Sequence, residues 1–157
     1  MAQPRMLLFL FVAVLAVPSP AAPQLGPAAQ PVPVLDNVDL MDLMIKPAYA
    51  GLQQQMAQPP TERQAWAALY QQSARLAELE NLLFFRVRAP EGRQSEWADR
   101  AARARDASAR VAAAALLGLR TARPGDFEQV RAAFPAIAQA CTACHHAFAR
   151  EAPTIKP

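Results

Sequence analysis

Glycine is scarce and strand-type patterning is missing. Only 5 glycines occur in 157 residues. No stretch alternates apolar and polar positions with Val, Ile or Thr, and no Asn-Gly pair marks a tight hairpin, so strands are not indicated. Lysine is almost absent too: Lys46 and Lys156 stand alone, and the formal charge of +3 comes from arginine. Those arginines are interspersed with Asp and Glu, without the basic run of a nucleic-acid footprint, so no nucleic-acid partner is expected. No glycine-rich phosphate loop, Ser-His-Asp set or pair of catalytic carboxylates is present, which leaves hydrolytic and phosphoryl-transfer chemistry without a basis. An enzyme is therefore not expected. Cysteine and histidine number two each, and all four fall within ten residues.

What is present begins with an export signal. "MAQPR" gives a short basic start, "MLLFLFVAVLAV" an apolar run, and "PSPAAP" the small residues of a cleavage site. The run from Met6 to Val17 is shorter than the roughly 20 apolar residues a bilayer requires. Residues 1–22 are thus expected to be a secretory signal peptide, cleaved near Ala16 or Ala21, with no stable membrane span afterwards and a periplasmic destination. Residues 23–35 read as a Pro/Ala-rich linker, because proline removes a backbone donor and restricts its predecessor. The remaining residues, 36–157, form the expected domain.

That domain divides into four helical segments. The first starts at Asp36 or Asn37, either a good N-cap, and carries Leu40, Met41, Met44, Ala48 and Leu52 at helical spacing; a kink is expected at Pro47. The second opens with a capping box of Thr61 and Gln64, buries Trp66, Leu69, Leu76, Leu79 and Leu83, and ends near Arg88. The third, from Ser95, sets Trp97, Ala101, Ala104, Val111, Ala115 and Leu119 on one side. Arg100, Arg103, Asp106 and Arg110 lie on the other. Asp126 is placed to cap the fourth, "FEQVRAAFPAIAQACTACHHAFAR". Short connections between long helices predict an all-α antiparallel four-helix bundle. Its alanine-rich faces permit either tight internal packing or a homodimer contact.

The chemistry is concentrated in "CTACH", residues 141–145. A catalytic dithiol wants its pair at a helix start after a strand, whereas this pair lies about four turns into a helix. Structural zinc wants four convergent ligands, which one short segment cannot fold around an ion. A disulfide is sterically poor between positions i and i+3 of a helix. C-x-x-C-H is instead the attachment signature of haem c. Cys141 and Cys144 would form the thioethers to one covalently attached haem c, and His145 would be the proximal iron ligand. His146 points about 100° further round and reads as a surface residue.

A four-helix chain with C-x-x-C-H on its last helix resembles the cytochrome c′ family and its low-spin relatives over about residues 36–150. Besides "CTACHHAF", the resemblance rests on "DLM" before Pro47, on "LAELENLLFFR" (Leu76 to Arg86) and on Trp97 at the start of the third helix. Phe148 matches the family's aromatic beyond the ligand; Ala149 stands where the family has arginine, with Arg150 one residue late. The resemblance implies a haem held inside the bundle, with the fourth helix on its proximal side and the first on its distal side. Met41 is then the expected distal ligand, with Met44 as the alternative. In high-spin members an apolar residue covers that face, and Leu40 would do so here. Phe134, Ile137 and Phe148 are expected to line the pocket, and Pro135 to bend the fourth helix. Lys46, Arg86 and Arg88 are candidate propionate partners. The implied function is single-electron transfer between redox partner proteins, with binding of NO or CO as the alternative.

Overall fold

In a computed structural model, which describes residues 32–157, helices are the only regular structure among the described residues. The expected signal peptide and most of the expected linker lie outside those residues. Four helices pack into a bundle, as the all-α reading anticipated.

Asp36 caps the first helix, its carboxylate accepting from the amides of Val38 (2.8 Å) and Asp39 (2.9 Å). The helix runs as α over Asn37–Leu40, as π over Met41–Ile45, and as α again over Lys46–Gln55. Pro47 explains the change. It offers no N–H to the Leu43 carbonyl four residues back, and its ring crowds that carbonyl. The preceding turn widens, with the Lys46 amide reaching the Met41 carbonyl, five residues away. The helix stays continuous through Pro47 rather than splitting in two, and the disturbance expected there takes the form of a widened turn.

The second helix, Arg63–Asn81, starts after Glu62, whose backbone is extended, and no side chain caps it. The Thr61–Gln64 capping box therefore does not form, because Thr61 stands one residue outside the cap position. The far end also comes earlier than the sequence suggested. A 3-10 turn, Leu82–Phe85, closes the helix, and Arg86 leaves helical geometry at φ −131°, ψ 42°. All five residues assigned to its inner face are buried, Leu69 and Leu76 completely. Full burial of a leucine contributes roughly 1.5–3 kcal/mol.

The third helix, Gln94–Thr121, makes the most extensive pairing of the bundle, with the second. Its stripe of Ala101, Ala104, Ala107, Val111 and Ala115 is buried, so the alanine-rich face is spent on internal packing. Leu119 is only half-buried. Gly118 is needed for contact: a Cβ there would lie 2.0 Å from the ring of Trp66. Trp66 in turn meets Phe127 edge-on at 6.4 Å.

The fourth helix is in two pieces, Asp126–Ala133 and Pro135–Phe148. Pro135 supplies no amide, and at the junction Ile137 bonds back only three residues, to the Phe134 carbonyl (3.0 Å). Asp126 does not cap this helix. Gly125, at φ 92°, holds the cap position, and the buried Asp126 carboxylate accepts from Thr121 Oγ1 (2.6 Å) and the Arg123 amide (2.6 Å). Those bonds, Thr121 first, hold it below the usual carboxylate range and tie the loop between the third and fourth helices.

Candidate functional site

The second piece of the fourth helix carries the thiols and imidazoles. In a regular α-helix, positions i, i+3, i+4 and i+7 share one face. Cys141, Cys144, His145 and Phe148 occupy that series, each half-buried, while His146 is exposed. Both thiols are unpaired. Burial, aided by the neighbouring Glu80 and Cys144 charges, pushes the Cys141 thiol up to about 12; burial also raises Cys144. A redox dithiol needs the opposite shift.

His145 directs Nδ1 at the Pro153 carbonyl, 3.2 Å away. A carbonyl can only accept, so the pair requires the proton on Nδ1 and leaves the Nε2 lone pair for a metal. Phe148, three residues on, meets Trp97 edge-on at 5.2 Å and lies under the Arg93 guanidinium at 4.7 Å. Trp97 is fixed by its own bond from Nε1 to the Leu83 carbonyl (2.9 Å). The start of the third helix is thereby clamped to the end of the fourth.

The residues expected on the distal side lie on the first helix. Leu40 is almost fully buried at 1% exposure, while Met41 and Met44 are half-buried; all three pack on the apolar core that Cys141 also touches. The first helix packs along the second and the fourth along the third, with no comparable pairing between first and fourth among the described residues. Tyr49 stacks on Phe134 at 5.5 Å and bridges these two helices. Phe134 and Ile137 are both core residues.

Of the cationic candidates, Arg86 donates to the Leu35 carbonyl and is committed to holding the chain before the first helix. Lys46 pairs loosely with Asp42 at 3.7 Å on the surface, and Arg88 is exposed. Arg100, which the sequence reading placed on an outward face, contributes its charge at Cys144 together with Glu96. Arg93, Glu96 and Arg100 form a linked row, at 2.7 Å and 3.5 Å, legible in retrospect as an i, i+3, i+7 series of alternating sign. Arg150, beside the position where arginine was expected, is exposed.

Glu80 was also missed. It is 1% exposed, neither carboxylate oxygen reaches a donor, and burial pushes it up to about 7, the nearby Ser108 hydroxyl drawing it slightly back. Four residues after Leu76 and three before Leu83, it falls on the apolar face of its helix, and that register was the available signal.

Two unpaired thiols at i and i+3, followed by an imidazole with its Nδ1 engaged and Nε2 available, fit a covalently held haem. No group of three or more His, Cys, Asp or Glu that would hold a bare metal ion is found among the described residues. No described helix is long and apolar enough to cross a membrane. A family model described as Cytochrome C′ matches residues 39–149 of the chain. No curated protein and no solved structure matched it.

Proposed function

This chain belongs to the cytochrome c′ family, and from that premise we propose that it is an exported monohaem cytochrome carrying single electrons between periplasmic redox partners. Its cofactor is a covalently attached haem c, which supplies a one-electron couple at the iron when bound. Cys141 and Cys144 would hold it through thioethers, His145 Nε2 would be the proximal ligand, and Phe148 would pack beside it. Met41 would be the distal ligand, with Met44 as the alternative. The observation carrying this reading is the π-helical turn at Met41–Ile45, which sets Met41 half-buried against the core that Cys141 touches. Such turns recur at functional sites. A neutral thioether there favours ferrous iron and raises the potential, which suits electron transfer.

A second reading, a five-coordinate iron that binds NO or CO, draws on a different observation. Leu40, adjacent to Met41, is nearly fully buried and would cover the distal face in place of sulfur. An optical spectrum of the purified holoprotein separates the two. Sharp α and β bands in the reduced form, unmoved by CO, are expected for methionine ligation. A broad high-spin spectrum that shifts with CO would reject electron transfer through a Met-ligated iron in favour of gas binding.

A further inference from the structure

We propose that residues 149–157 act as a strap that positions the proximal histidine through the Pro153 carbonyl. The proposal rests on the reading of His145 as the iron ligand. The contact itself, His145 Nδ1 to Pro153 O at 3.2 Å, joins residues that no helix holds together. Pro153 lies beyond the end of the fourth helix, so something else must place its carbonyl.

The strap is pinned on both sides of that proline. Before it, the chain leaves the helix with the Ala149 amide on the His145 carbonyl (2.7 Å) and turns with the Ala152 amide on the Ala149 carbonyl (2.8 Å). After it, Thr142 Oγ1 accepts from the Ile155 amide (3.0 Å) and stands 3.4 Å from the Ile155 carbonyl. Thr142 sits between the two cysteines, so the strap is tied to the turn that would carry the haem. Further on, Tyr49 Oη donates to the Lys156 carbonyl (2.6 Å) and Gln53 Nε2 to the Pro157 carbonyl (3.0 Å). Both donors belong to the first helix, so the strap spans the two halves of the site. With its ring holding φ near −65° and anchors on either side, Pro153 presents its carbonyl to one imidazole nitrogen.

An acceptor on Nδ1–H fixes the tautomer and ring orientation and strengthens the other nitrogen as a donor. A stronger donor favours ferric over ferrous iron, so the strap lowers the potential. The test uses the holoprotein with Thr142→Val and Tyr49→Phe combined, which removes both hydroxyl anchors while keeping side-chain shape. A rise of about 59 mV is expected, the one-electron equivalent of a tenfold loss of ferric preference. Solvent exchange of the axial imidazole Nδ1–H, followed by NMR, should become faster, whereas Thr142→Ser with Tyr49 kept, which retains both hydroxyls, should leave both readouts at the parent values. An unchanged potential and exchange rate overturns the strap. Where the double variant loads haem poorly, Tyr49→Phe alone must still move both readouts in the same direction, and no movement there overturns the proposal equally. His145→Ala separates this from the underlying reading. If it leaves the parent spectrum intact, ligation by His145 is wrong and the strap falls with it; if it abolishes that spectrum while the anchor variants change nothing, the strap alone is wrong.

Discussion

The two halves of the site are built in opposite ways. On the fourth helix, Cys141, Cys144 and His145 occupy regular α-helical positions, and the imidazole has a fixed partner in the Pro153 carbonyl. On the first helix, Leu40, Met41 and Met44 sit in or beside a π turn, and no side-chain hydrogen bond caps it. On the proposed reading, attachment would be written in residue spacing, which a sequence displays directly. On the same reading, the sixth position depends instead on the geometry of an irregular turn, where three neighbouring side chains would compete. The choice between the two proposed functions would then rest with the less regular half.

Variants can break this contrast at either end. The largest effect is expected from Cys141→Ser combined with Cys144→Ser, which should abolish covalent haem, read as loss of the haem mass from the chain after acid–acetone extraction. Retained mass would remove the special status of the fourth helix. Next comes the first helix. Met41→Ala should convert a sharp low-spin spectrum to a broad high-spin one, whereas Met44→Ala should leave it sharp; the reverse pattern would move the ligand three residues along the same turn.

A smaller effect belongs to Glu80, beside Cys141. Its pKa is raised from 4.5 to about 7 when folded, so its protonated form is the one the fold favours. Stability from this group is full below about pH 4.5, declines as pH rises towards 7, and is flat above. At about 1.36 kcal/mol per unit, the decline is about 3 kcal/mol. Urea melts across that range should show the slope in the parent and its loss in Glu80→Gln; a slope that persists would assign it elsewhere. The smallest effect is expected from Arg93→Ala, which removes the cation over Phe148 and should cost about 1 kcal/mol by denaturant midpoint. A cost of zero would mean that Trp97 alone holds Phe148.

Much of this was legible in the sequence, for identifiable reasons. Leu69, Leu76, Val111 and Ala115 recur at helical spacing and are buried as that period requires. Signals of one or two residues fared worse. Thr61 and Gln64 spell a capping box, yet the extended backbone at Glu62 puts the cap one residue past Thr61, with Gln64 already inside the helix. Asp126 was expected to cap a helix and instead ties a loop, since Gly125 can adopt the left-handed conformation at the cap. Pro47 announced a disturbance, but that it would take the form of a π turn over Met41–Ile45 was not written in the sequence. The Pro153 contact was invisible because a backbone carbonyl carries no residue-type signature, and the strap follows no period.

The π turn has one more consequence, for how such a chain could diverge. It amounts to an α-helix carrying a single extra residue. Deleting one residue between Met41 and Ile45 would restore the α register and rotate the helix start by about 100° relative to the portion beyond Ile45. A different side chain would then meet the core, without any change to the helix that carries Cys141 and Cys144. On the proposed ligation, a closed iron and an open one would lie one codon apart.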